Sequence, residues 1–301
     1  MTQLEGRPPA ADVIHDIGYR HYDGPRLGRG YARKSLYVQS LRSAYGLGRS
    51  AKSKVLPMIL LAVMCVPAGI MVAVAIGTKA TKLPIEYTQY AIIMQAVIGL
   101  YLAAQAPQSV SLDLRFKTTP LYFSRPIEAV DYVASKFAAL TTALFILTGT
   151  PLLVMYIGAL LAKFDVSDQS AGFAKAMLAA LLLSMLFSGI GLVIAALTPR
   201  RGFGVAAVIA VFTLSYGAVT SVQGVASING NADVIGWLGL FSPITLIDGA
   251  QTWWLGATSS FPEGAGPKDA VVGTVYLLVL LAVIAGSFGL LMRRYRKAVL
   301  S

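Results

Sequence analysis

Six stretches of this chain contain no Asp, Glu, Lys or Arg: Val55–Thr78, Tyr87–Leu112, Phe137–Ala162, Ala176–Pro199, Gly202–Ala232 and Ala270–Met292. Each is at least 23 residues long, and about 20 apolar residues suffice to cross a bilayer as helix. Lipid offers no partner for backbone N–H and C=O groups, so a crossing segment must be helical. The runs predict six transmembrane helices, near 56–77, 88–107, 137–161, 176–197, 203–222 and 270–292. Composition agrees: 56% of the 301 residues are hydrophobic and 13% charged, against about a quarter charged in a water-soluble domain. That excludes a soluble globular enzyme, a disordered chain and a disulfide-stapled secreted scaffold. The fold class expected is an all-α integral membrane protein.

The placement of basic residues predicts orientation, because cytoplasmic loops carry the excess of Lys and Arg. With the N-terminus inside, 20 of the 25 basic residues lie on the inner side. The outer side holds Lys79, Lys82, Lys163, Lys175 and Lys268. Leaving out the first 54 residues, the ratio is still 10 to 5. Both termini are expected in the cytoplasm, and no signal peptide is expected, since those 54 residues contain no apolar core segment.

The segment 223–269 reads differently. Trp237–Leu255 is charge-free except for Asp248 and allows a seventh span, but seven spans would export Arg293, Arg294, Arg296 and Lys297. It also contains Pro243, Gly249 and the Trp253–Trp254 pair. Proline breaks helices and tryptophan favours the membrane–water boundary. The expectation is a re-entrant or interfacial hairpin on the outer side before the last span.

On the inner side, residues 1–30 form a Pro-, Gly- and Arg-rich tail containing His15 and His21, without a third ligand at metal spacing. Residues 31–54 predict an amphipathic connecting helix. Leu36, Tyr37, Val38, Leu41, Ala44, Tyr45 and Leu47 fall on one face, and Gln39, Arg42, Ser43, Arg49 and Ser50 on the other. Such a helix lies in the headgroup layer with its cations near anionic lipid; a helix packed on a partner is the alternative. Gly46 to Ser53 nearly matches the phosphate-binding pattern G-x-x-x-x-G-K-[ST], but Ala51 stands where glycine is needed and no strand precedes it. The sole cysteine, Cys65, lies in the first span and reads as a small packing residue.

The loop 108–136 mixes Asp113, Arg115 and Lys117 with Phe116, Tyr122 and Phe123, punctuated by Pro120 and Pro126. A short helix over 109–118, capped by Ser109 or Ser111, fits its start. Large apolar groups beside charges read as a docking surface for a partner, or as groups packed beneath the loop.

At these residues the chain resembles the permease subunits of bacterial type-2 ABC transporters. The resemblance rests on the tail Ile14–Arg29, on Leu121-Tyr-Phe-Ser-Arg125-Pro126-Ile127 with Asp131-Tyr132 and Lys136, and on Phe241-Ser242-Pro243 with Leu246-Ile247-Asp248-Gly249. It implies a transmembrane permease domain over 55–301 in the bacterial cytoplasmic membrane. It implies a second permease copy or paralogue, two cytosolic ABC ATPase subunits that bind ATP and Mg, and no catalytic site, cofactor or nucleic-acid partner of this chain's own. The ATPase-coupling residues it implies are Asp113, Leu114, Arg115, Phe116, Lys117 and Arg125. The substrate path it implies runs past Gln95, Tyr101, Phe212, Ser215 and Tyr216. The function expected is that of an ATP-driven exporter working by alternating access.

The spans carry no ionisable relay of the kind ion-coupled carriers use. A facilitator or carrier that works without an ATPase is the alternative. A membrane-embedded enzyme would need clustered His, Asp, Glu or Cys near the interface, and none has motif spacing.

Overall fold

The computed structural model describes residues 24, 27–116, 122, 127–198, 200–262 and 266–300. Most of the tail 1–30, including His15 and His21, lies outside these. Ten α-helices follow one another among the described residues: α1 (Arg29–Ala44), α2 (Ala51–Gly77), α3 (Tyr87–Ile93), α4 (Gln95–Arg115), α5 (Ala129–Leu161), α6 (Val166–Leu197), α7 (Arg201–Ile228), α8 (Ala232–Leu238), α9 (Pro243–Leu255) and α10 (Ala270–Leu300). A 3-10 turn, Gly239–Phe241, joins α8 to α9.

Five of these helices, α2, α5, α6, α7 and α10, are long and apolar enough to cross a membrane. The α3–α4 pair passes the same test together but is bent by 59°. Together with the composition, this marks a multi-pass membrane protein. Half of the apolar window of α5 and 56% of that of α6 are buried, against 22% for α2 and 17% for α7. The pair α5–α6 is therefore the centre of the bundle, and α2 and α7 flank it with apolar surface free. Close approach is achieved with small residues, as is usual between membrane helices. A Cβ on Gly191 of α6 would sit 2.6 Å from Leu102 of α4, and one on Gly249 of α9 would sit 2.1 Å from the Tyr276 ring of α10.

The ends of the helices follow capping chemistry. The backbone N–H of Glu128 donates to Asp131 Oδ2 at 3.1 Å, opening α5, and Asp165 accepts from the Asp168 N–H at 3.0 Å, opening α6. Pro243 occupies the first turn of α9, and Gly256 ends it in the left-handed region at φ 61°.

Several expectations need correction. The second span is not one straight helix: it breaks at Met94, with no Pro or Gly there. Tertiary bonds hold α3 across the bundle instead, Tyr87 to Gln169 Oε1 at 2.7 Å, Tyr90 to the Met64 carbonyl, and Gln251 to the Thr88 carbonyl at 3.4 Å. No separate helix starts at Ser109 or Ser111, because α4 continues through Pro107 to Arg115. Ser111 donates to the Ala195 carbonyl of α6 at 2.8 Å instead of capping.

Part of the apolar face of α1 is spent on the protein. Leu36, Ser40 and Ala44 are buried, while Val38 and Leu47 are exposed. Tyr37 donates to Thr142 Oγ1 at 3.0 Å and Tyr45 to the Ala143 carbonyl at 2.7 Å, so α5 supplies both apolar surface and acceptors. The alternative of a continuous seventh span over 237–255, which the charge placement argued against, does not form. The 3-10 turn interrupts it, and the 13 residues of α9 are too few to cross a bilayer.

Candidate functional site at the basic end of the bundle

The end of α4, the starts of α5 and α7, and the end of α10 lie at the same end of the bundle as α1. Most of the basic residues collect there. Two polar clamps hold this end together.

The first joins α1 to α5. Arg29 donates to Asp131 Oδ2 at 2.6 Å and to Glu128 Oε1 at 2.5 Å, and Arg33 approaches Asp131 Oδ1 at 3.7 Å. Asp131 is 3% exposed, so this carboxylate is shielded while its partners reach outward.

The second joins α4 to α5 and α10. Asp113 Oδ2 accepts a hydrogen bond from the Tyr132 hydroxyl at 2.5 Å and an ion pair from Lys136 Nζ at 3.1 Å. Lys136 also donates to the Ser109 carbonyl at 2.9 Å. The Tyr132 ring lies 5.4 Å from Tyr122 and 4.8 Å from Tyr295. A carboxylate taking two donors, one of them charged, is a strong, geometrically fixed contact. It locks the last turn of α4.

Beyond that lock the chain reaches solvent. Leu114 is half-buried against the core. Arg115 and Phe116 are exposed, Phe116 to 64%, with the Arg115 guanidinium 5.5 Å from the Phe116 ring centre. Lys117 and Arg125 lie outside the described residues. Of the six residues expected to couple to a partner, the structure thus brings Asp113 into an internal clamp and leaves Arg115 and Phe116 at the tip.

The residues expected along a path are not gathered at one surface. Gln95 opens α4 at the bend, its Oε1 buried without a hydrogen-bond partner. Tyr101 is fully buried and donates to the Ala44 carbonyl at 3.2 Å, its ring 5.8 Å from Tyr45. Phe212 packs its ring 4.6 Å from Phe187. Ser215 bonds back to the Phe212 carbonyl at 3.3 Å, and Tyr216 is half-buried.

Sequence reasoning missed the roles of Tyr132, Lys136, Tyr295 and Arg29. The signal was present in part: Asp131, Tyr132 and Lys136 open an otherwise apolar helix, where polar groups need partners. Their partners are distant in sequence and cannot be read from spacing.

The opposite end has its own buried polar group. Asp248 of α9 is 2% exposed and accepts from the Ser260 N–H at 3.0 Å and the Gln251 amide at 3.0 Å. Burial pushes its carboxyl above the ordinary carboxylate range, against the lowering pull of those two donors.

The near-match to a phosphate-binding loop is a helix–helix turn. Gly46 and Gly48 adopt φ 66° and 85° between α1 and α2. A Cβ at Gly46 would lie 2.3 Å from the Ser53 carbonyl oxygen. The glycines serve the turn, and a helix precedes it where a nucleotide loop has a strand.

No family model matches this chain, and no curated protein matches it.

Proposed function

We propose that this chain is the permease subunit of a type-2 ABC transporter, an exporter driven by separate cytosolic ATPase subunits that bind ATP and Mg. In this reading α3–α4 forms one bent span, giving six spans in all, and both termini face the cytoplasm of a bacterium. The membrane is the cytoplasmic one, and a second permease copy or paralogue completes the transport unit. The apolar faces left free on α2 and α7 support contact with lipid and with that second permease.

One observation carries the reading. The exposed pair Arg115–Phe116 sits at the tip of α4, directly past a clamp that ties α4 to α5 and α10. A push on that tip is transmitted to three long helices at once, which is what a non-catalytic subunit needs in order to take work from an external motor. The positive-inside distribution supports a cytosolic position for the tip.

The test is purification in mild detergent from the native membrane. The reading expects a nucleotide-hydrolysing polypeptide to co-purify, and Phe116→Ala to abolish ATP-dependent transport while the chain still inserts and folds. Transport by the purified chain alone in liposomes would favour a facilitator instead. Hydrolysis by the isolated chain would contradict the reading outright.

A further inference from the structure

A cavity of about 690 Å³ opens between α1, the end of α4, the start of α5 and the α1–α2 turn. Its volume falls within the range of small-ligand sites. Lys34, Arg42 and Arg49 line it, and none has an acidic partner among the described residues. Lys136 and Asp113 also line it, but they neutralise each other at 3.1 Å. The cavity is therefore cationic.

Its wall also holds a polar group without a partner. Gln105 is 5% exposed and makes no hydrogen bond among the described residues. The Gln105 amide is thus left to hydrogen-bond an occupant, and the unpaired cations point to an anionic one. Val38 and Leu47 line the same cavity and are exposed. The helix α2 begins four residues after Leu47 and carries exposed Val55, Ile59 and Val63 at helical spacing. The charged pocket is thus followed in the chain, through a short turn, by an apolar helix with exposed surface.

We propose that this cavity binds the phosphate-bearing headgroup of an anionic phospholipid, with its acyl chains lying along α2. Arg42, Arg49 and Lys34 neutralise the phosphate, and Gln105 hydrogen-bonds the headgroup oxygens. The exposed Val38 and Leu47 select a lipid over a soluble phosphate, which would leave them in water. The proposal rests on α2 lying in the membrane and is independent of any ATPase partner.

The test is native mass spectrometry of the full chain from mixed micelles of phosphatidylglycerol and phosphatidylcholine with the same acyl chains. The expected result is one retained phosphatidylglycerol per chain in preference to phosphatidylcholine. The Arg42→Gln/Arg49→Gln variant should retain it about thirtyfold more weakly, each cation near an anionic headgroup contributing comparably. Arg42→Lys/Arg49→Lys should restore most of the retention. Arg293→Gln/Arg294→Gln, which removes the same charge at the same end but outside the cavity, should leave it unchanged. Circular dichroism of each variant confirms folding.

Equal retention of the two lipids, or retention unaffected by Arg42→Gln/Arg49→Gln, would overturn the proposal. Displacement by glycerol phosphate or inorganic phosphate at concentrations matching the lipid would overturn the lipid assignment in favour of a soluble ligand. Cross-linking of Gln39→Cys to a co-purifying polypeptide, with no lipid retained, would assign the cavity to a protein partner instead.

Discussion

Tyr132 and Lys136, one turn apart on α5, both reach a single oxygen of Asp113 on α4, at 2.5 and 3.1 Å. Both ends of the ion pair are largely shielded, with side chains 11% and 18% exposed. Removing Asp113 takes from a shielded ammonium its counter-charge and from the Tyr132 hydroxyl its carboxylate acceptor. Asp113→Ala is expected to destabilise the chain by about 1–3 kcal/mol, the cost of orphaning a buried polar group. Asp113→Leu/Lys136→Met should cost less than the sum of the single changes, because it removes both partners together. Thermal unfolding in detergent measures all of these.

Asp248 gives a pH dependence with a definite sign. Its carboxyl is raised in the folded chain, first by burial. The folded state therefore holds the proton more tightly than the unfolded one. Stability is expected to fall as pH rises from the usual carboxylate range through the raised folded value, and to recover as pH is lowered again. Asp248→Asn should remove that slope while keeping an acceptor for Ser260. The check is a series of melting curves between acid and neutral pH for both proteins.

The turn between α1 and α2 separates two glycines of similar backbone conformation. Gly48 has φ 85° and open space around it, whereas Gly46 has φ 66° and the Ser53 carbonyl where a Cβ would go. Gly48→Ala is expected to cost about 1 kcal/mol, from the left-handed conformation alone. Gly46→Ala should cost more, since backbone must shift as well. Comparing the two melting temperatures isolates the steric contribution.

Phe116 is 64% exposed, with the Arg115 guanidinium 5.5 Å from its ring centre. Phe116→Ala is therefore expected to change stability by less than about 0.5 kcal/mol, as for other surface positions. Transport coupled to ATP should nevertheless be lost. Measuring both quantities on one preparation separates a contact residue from a packing residue.

Much of the architecture was legible in the charge-free runs, because lipid tolerates neither a free backbone nor an unpaired charge. Each run overlaps one long helix, or the α3–α4 pair, over most of its length. The limits were less legible. Pro107 is apolar punctuation in sequence, yet α4 passes through it, with Pro107 packed near Gly204 of α7. The break at Met94 carries no breaker residue and comes from bonds made by Tyr87, Tyr90 and Gln251 to other helices. Val38 and Leu47 share a helical face with Leu36 by periodicity, but they stay exposed while Leu36, Ser40, Ala44 and Tyr45 are buried. For the site, Asp113 stood out as a charge beside an apolar run. Its partners Tyr132 and Lys136 lie 19 and 23 residues away and are joined to it only by the packing of α4 on α5.

The most direct test of the proposed coupling is to place one reactive thiol at the tip of α4. In a Cys65→Ala background, Phe116→Cys should be labelled by a membrane-impermeant reagent only from the cytosolic side. It should also cross-link to a co-purifying ATPase in a way that changes when ATP is bound. Labelling from the outer side, or a thiol that never contacts a nucleotide-hydrolysing partner, would contradict the account.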